Sequence, residues 1–232
     1  PGWPRDMQSS WNWATPSAGD IDGDGDLEVI VNDVSGRLFV WHHDGTEFVD
    51  GDDNPATDGI FLDRPDSWTL SSPAVYDLDA DGAGEMIYGT RVHDGTNALL
   101  AYRYDGTQAP GFPFDLGNHN VLCSPAIADL DHDGTREIIF FTTNRDLWVL
   151  RADGSVFPGF PIHHDTPYDD SAGPSPAVGN FDDDPELEIV WPVNAGSFRL
   201  DLVVVDTDVD GGTSGDVLPG WPVSLPSNSE GS

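Results

Sequence analysis

The sequence predicts an all-β protein built from β-propeller blades, each of four short antiparallel strands. Three observations predict it. A Ser/Thr-Pro step, then small and apolar residues, then an acidic loop, recurs at Thr15-Pro16, Ser72-Pro73, Ser124-Pro125 and Ser175-Pro176. Glycine (26) and proline (19) are frequent, which suits many strands and tight turns and breaks helices. No stretch longer than a turn has a 3.6-residue apolar period, so almost no helix is expected.

The third repeat shows the elements of the unit in order. Ser124 to Leu130 is a short apolar stretch, and Asp131 to Arg136 is a turn-rich acidic loop. Glu137 to Thr143 is a β-rich run carrying Ile138, Ile139, Phe140 and Phe141, and Leu147 to Arg151 is another. Asp153-Gly154 is a hairpin signal. Val156 to Ile162 closes the unit as a proline-containing strand, which belongs on an edge. Such a unit cannot bury its own faces; stacked radially, its copies form a propeller.

Two further markers recur. Asp-Gly turns separate apolar runs at Asp44-Gly45, Asp105-Gly106 and Asp153-Gly154. Pro-Gly-aromatic-Pro occurs at Pro1 to Pro4, Pro110 to Pro113, Pro158 to Pro161 and Pro219 to Pro222. Its ring positions, Trp3, Phe112, Phe160 and Trp221, are expected to pack in the core or between blades. The markers place blade 1 at 15–71, blade 2 at 72–123, blade 3 at 124–174 and blade 4 at 175–232, with 1–14 as the closing strand of a preceding blade. Blade 1 closes with a divergent segment, Asp66 to Leu70, after an acidic insertion from Asp50 to Asp66. Ser232 falls where a fifth Ser-Pro step would begin. The expectation is a segment of a larger propeller, whose open blade faces are covered by the remaining blades of a longer chain or by another copy of itself.

Composition narrows the function. Across 232 residues, 42 acidic side chains face 9 basic ones, a formal charge of −33, and every basic residue is arginine. Nucleic acid and anionic membranes are excluded as partners, because phosphate recognition needs clustered cations. A core is still available, with 38% hydrophobic residues and eight tryptophans. No apolar run is long enough for a transmembrane helix. Cys123 is alone, so no intrachain disulfide forms. There is no Gly-x-Ser-x-Gly elbow, phosphate loop or His-Glu-x-x-His helix, and the chain is not expected to be an enzyme.

The chemistry lies in the acidic loops. The first carries Asp20, Asp22, Asp24, Asp26 and Glu28; the second Asp77, Asp79, Asp81, Gly82, Ala83 and Glu85; the third Asp129, Asp131, Asp133, Gly134, Thr135 and Glu137. Acids fall at positions 1, 3, 5 and 9, glycine at 6, and the carbonyl at 7 (Asp26, Ala83, Thr135) is a further ligand. So many carboxylates together repel one another unless a cation joins them. A hard ion taking six to eight oxygens fits, and calcium suits this flexible all-oxygen set better than magnesium. An EF-hand is excluded, because its position-12 acid is replaced by Val31, Tyr88 and Phe140 inside β-rich runs. The fourth loop departs from the pattern, with Asn180, Asp182, Asp184, Pro185, Glu186 and Glu188. The expectation is three to four calcium ions.

The units resemble the FG-GAP, or VCBS-type, repeats of integrin alpha-subunit propellers and of many secreted bacterial proteins. The resemblance implies a seven- or eight-bladed propeller with calcium in loops on one rim. The literal Phe-Gly and Gly-Ala-Pro signatures are replaced here by Ser-Pro-Ala and Pro-Gly-aromatic-Pro.

Other features are secondary. Asp206, Asp208, Asp210, Gly211 and Asp216 form a second kind of acidic loop, expected to be solvated. His42-His43 and His163-His164 lack zinc-site spacing. The functional expectation is a non-catalytic, calcium-stabilised extracellular propeller for adhesion, ligand recognition or assembly, with a protein or glycan ligand. The alternatives are an accessory propeller of a secreted peptidase or polysaccharide lyase, and a structural subunit of a surface assembly or filament. The lysine-free, aspartate-rich surface suits high salt, where screening relieves repulsion.

Overall fold

A computed structural model describes residues 2–7, 11–49, 59–64, 67–92, 97–163, 175–196, 199–207 and 217–225. Among these there is no helix, and hence none long and apolar enough to cross a membrane. The chain divides into two compact units, Pro1–Pro125 and Ala126–Ser232.

The first unit holds two four-stranded antiparallel sheets. One runs in the order β1 (Ser17–Gly19), β2 (Glu28–Asn32), β3 (Arg37–Trp41), β4 (Ile60–Asp63). After β5 (Ser67–Trp68) comes the other, formed by β6 (Ala74–Tyr76), β7 (Glu85–Gly89), β9 (Ala98–Tyr102) and β10 (Phe114–Asp115) in the order β10-β9-β7-β6. The small strand β8 (Arg91–Val92) pairs with β5. In the second unit, β11 (Ala126–Ala128), β12 (Glu137–Phe141), β13 (Asp146–Leu150) and β14 (Ile162–His163) form one sheet in chain order. Strands β15 (Ala177–Gly179), β16 (Glu188–Gly196), β17 (Arg199–Val205) and β18 (Val223–Leu225) form the other.

The middle strands explain why their sequences do not alternate. Every residue of β7 (EMIYG) and β12 (EIIFF) is buried, as expected for strands covered on both faces. In the first unit the two sheets share one core. Ile30, Leu38 and Val40 of the first pack with Met86, Tyr88, Leu100 and Tyr102 of the second. The edges also meet closely: a Cβ on Gly19 would lie 2.5 Å from Val75 Cγ1, so only glycine fits there.

The recurring Ser/Thr-Pro step has a direct structural use. The Thr15 amide donates to Ser72 Oγ at 2.8 Å, and the Ser72 amide donates to Ser124 Oγ at 2.8 Å. Each hydroxyl thus ties the start of its repeat to the start of the preceding one.

Four details differ from the sequence expectation. The fourth strand of the first sheet is Ile60–Asp63, inside the segment expected to be an insertion, while Ser67–Trp68 pairs with Arg91–Val92 instead. The apolar run Ile60-Phe61-Leu62 forms it without the Pro-Gly-aromatic-Pro marker. In the third repeat the closing strand is only Ile162–His163; Val156 makes an isolated bridge to Leu150. Trp3 is not core: it is 43% exposed and lies edge-on to Trp41 at 6.0 Å, whereas Phe112 and Phe160 are buried. Residues 2–7 contain no strand; Gly2 N donates to Asp44 O at 3.1 Å and Trp3 Nε1 to His43 O at 3.0 Å. Residues 50–58, 65–66, His164 and 208–216, with their acidic positions, lie outside the described residues.

Candidate metal centres

Each acidic loop joins the first strand of a sheet to the second. The glutamate at position 9 is the first residue of that second strand: Glu28 of β2, Glu85 of β7, Glu137 of β12 and Glu188 of β16. The apolar residues that follow it drag the carboxylate into the interior. Glu28, Glu137 and Glu188 are fully buried, and Glu85 nearly so.

One contact fixes all four. The amide at position 2 donates to the glutamate Oε2: Ile21 to Glu28 at 3.1 Å, Leu78 to Glu85 at 2.7 Å, Leu130 to Glu137 at 2.9 Å, and Phe181 to Glu188. That leaves Oε1 without a backbone partner among the described residues in all four. Position 1 is fixed by the glycine at 6, whose amide donates to Asp20 Oδ2 (Gly25, 3.0 Å), Asp77 Oδ2 (Gly82, 2.9 Å) and Asp129 Oδ2 (Gly134, 3.1 Å). These glycines have φ of 92°, 96° and 92°, a conformation that side-chain-bearing residues rarely adopt.

The result is four compact oxygen groups whose ligand atoms lie within 4.8 Å of one another: Asp20, Asp22 and Glu28; Asp77, Asp79 and Glu85; Asp129, Asp131 and Glu137; Asp182, Asp184 and Glu188. The fold thus gathers positions 1, 3 and 9 in three loops and positions 3, 5 and 9 in the fourth. Asp24, Asp81 and Asp133 at position 5 stand outside these groups; their Oδ1 atoms accept the amides of Asp26, Ala83 and Thr135. Asp26 and Glu186 also stand outside. In the fourth loop Asn180 turns its side-chain amide onto the carbonyls of Asp184 and Glu186. None of the four groups contains a histidine.

The electrostatics are those of a site short of positive charge. Burial raises the carboxyl of Glu137 to about 7, and the Asp131, Asp133 and Asp129 charges push the same way. Burial raises Glu85 and Glu188 as well, reinforced by the neighbouring aspartates. Burial also raises Glu28, although the Ile21 amide and His42 oppose it. Glu137 Oε1, Glu188 Oε1 and Asp129 Oδ1 are buried and have no hydrogen-bond partner among the described residues. A buried unpaired carboxylate oxygen is costly, and a hard cation is the ligand that removes the cost.

Residues outside the loops also face these sites. Trp41 pairs with Val29, Tyr102 with Met86, Leu150 with Ile138 and Val205 with Ile189. The next residue of each third strand therefore comes opposite the glutamate: His42, Arg103, Arg151 and Asp206. His42 Nδ1 lies 3.2 Å from Glu28 Oε1, and Arg103 Nε lies 3.6 Å from Glu85 Oε1. Sequence reasoning missed this position. Its signal was a fixed place two residues before the Asp of the Asp-Gly turn in the first three repeats.

No family model and no curated protein matches the chain. Solved structures do. BBS1N in complex with ARL6DN, in a crystal soaked with lead, superposes with a TM-score of 0.54 at 12% identity, over 90% of this chain and 56% of that one. The same complex soaked with mercury gives 0.50 at 13%, over 84% and 51%. These neighbours are β-propeller domains, and the likeness establishes that fold for this chain. The chain spans about half the length of the solved chains it matches.

Proposed function

We propose that the chain is a calcium-binding β-propeller of the FG-GAP or VCBS kind, acting without catalysis in adhesion, ligand recognition or assembly outside the cell. The observation that carries the reading is the repeated buried glutamate, held through Oε2 by a backbone amide and gathered with two aspartates so that their ligand oxygens lie within 4.8 Å of one another. A solvated acidic turn has no reason to bury its last carboxylate at the same place in every sheet. In the third loop Asp129, Asp131 and Glu137 would hold the ion, with Asp133 and the Thr135 carbonyl as further oxygen donors. The first loop would use Asp20, Asp22 and Glu28 with Asp24 and the Asp26 carbonyl. The second would use Asp77, Asp79 and Glu85 with Asp81 and the Ala83 carbonyl. In the fourth, Asp182, Asp184 and Glu188 would serve.

The ion's work is structural. It neutralises the buried charge and ties the first strand to the second, making the loop a rigid platform. Millimolar extracellular calcium saturates even modest sites of this type. A protein is the partner we favour, because BBS1N, which shares the fold, is solved in complex with ARL6DN. The charge of −33 suits a cation-rich surrounding.

The test is a thermal melt of the chelator-stripped chain, in chelator and then in millimolar calcium or magnesium. Calcium is expected to raise the midpoint well beyond magnesium, since an ion bound only to the native state stabilises it. An unchanged midpoint in calcium would overturn the reading.

A further inference from the structure

The four loops share a scaffold but differ in what faces the glutamate. In the third and fourth loops, Glu137 Oε1 and Glu188 Oε1 are fully buried and have no partner among the described residues. Arg151, the residue opposite Glu137, has its guanidinium 5.0 Å from the Phe157 ring centre. Opposite Glu188 stands Asp206, whose charge pushes the Glu188 carboxyl up further. In the first loop His42 lies against Glu28 Oε1. The second loop is different in kind. Arg103 bonds through a terminal nitrogen to Asp79 Oδ2, with its Nε 3.6 Å from Glu85 Oε1. A permanent positive charge, pinned by its own backbone, thus touches two of the three carboxylates gathered there.

We infer that Arg103 is a tethered counter-cation of the second loop, so that this loop takes calcium only on displacing the guanidinium, and takes it last. Arginine stays charged at any pH the fold survives. An incoming divalent ion must break the Asp79 contact and then sit beside the displaced charge. In the third loop Arg151 acts on Asp133 only from a distance and is in no ion pair with the three gathered carboxylates, and the fourth loop faces Asp206 where the second faces a cation. The chain therefore has graded sites, with the third and fourth loops filling before the second. The Arg103–Asp79 pair also holds the second loop closed when calcium is scarce.

The inference rests on the calcium reading, and one experiment separates the two. The position-6 glycines Gly25, Gly82 and Gly134 report their own loops, because each amide is bonded to its position-1 aspartate. Their backbone amide signals are followed by NMR in the full chain as calcium is added. The Gly82 midpoint is expected at least tenfold above that of Gly134, because the displaced guanidinium repels the incoming ion. Arg103→Gln is expected to bring Gly82 down to Gly134 while Gly134 stays where it was. Arg103→Lys, which keeps the charge, is expected to leave Gly82 high. Equal midpoints for Gly82 and Gly134 in the unaltered chain overturn the inference and leave calcium binding standing. So does an Arg103→Gln chain in which Gly82 does not move. No calcium response at any of the three glycines overturns both. If Arg103→Gln does not fold, the wild-type gap and the lysine variant decide.

Discussion

Glu137→Gln should change the sign of its effect with calcium. Glu137 is fully buried, its Oε2 takes the Leu130 amide, and its Oε1 has no partner among the described residues. Burial and three aspartates raise its carboxyl from 4.5 to about 7. At about 1.4 kcal/mol per pH unit, keeping it ionised costs the ion-free fold about 3 kcal/mol. The glutamine keeps an oxygen for Leu130 and turns an NH2 towards Asp129 and Asp131, so most of that cost disappears. In chelator at pH 8 the variant should be the more stable protein, by roughly 1–3 kcal/mol, or a melting point higher by about 5 °C. A carboxyl raised on folding destabilises above its folded pKa and costs nothing below its unfolded one. The variant's advantage should therefore shrink from pH 8 to pH 5. In calcium at about a thousand times the dissociation constant, the wild type gains roughly 4.1 kcal/mol from this loop and the variant does not. The order of stabilities should then reverse. Calorimetric melts in chelator and in calcium read both. A variant destabilised equally in both would make Glu137 an ordinary structural hydrogen-bond acceptor and not an ion ligand.

Two further predictions concern the scaffold. The Asp33 side chain is fully buried and accepts from Ser35 and Arg37. Burial pushes its carboxyl up, but the Ser35 and Arg37 bonds outweigh it and hold the group below its usual range. A lowered carboxyl stabilises above its unfolded pKa and loses that effect as pH falls through its folded one. Asp33→Asn should cost about 2 kcal/mol at pH 7 by urea unfolding, and the gap should close below roughly pH 4. Ser72→Ala removes the acceptor of the Thr15 amide and should cost about 1 kcal/mol in the same assay at any pH from 5 to 8.

Much of this architecture was legible because the repeat markers each have a mechanical cause. Ser72 and Ser124 of the Ser-Pro steps each accept a backbone amide from the repeat before, so their recurrence followed a hydrogen bond. The glycine at loop position 6 recurs because the backbone there takes a positive φ. The fourth strand of the first sheet was not legible. It has no Pro-Gly-aromatic-Pro, and Ile60-Phe61-Leu62 is too short a run to stand out beside an acidic stretch. The grouping within the loops was legible only in part. Spacing gathers Asp129, Asp131 and Glu137, but Asp133 is turned onto the Thr135 amide instead. That choice depends on local backbone bonds that residue types do not encode. Arg103 and His42 were missed because they reach the sites through strand pairing, and register is not visible from one repeat.

Calcium titration calorimetry of the chelator-stripped chain decides whether the buried glutamates make these loops ion sites. Saturable binding of three to four ions per chain is expected, in keeping with the four oxygen groups, with loss of one ion in Glu137→Gln. Heats that show no saturable binding up to millimolar calcium, from a chain that is folded throughout, would contradict it.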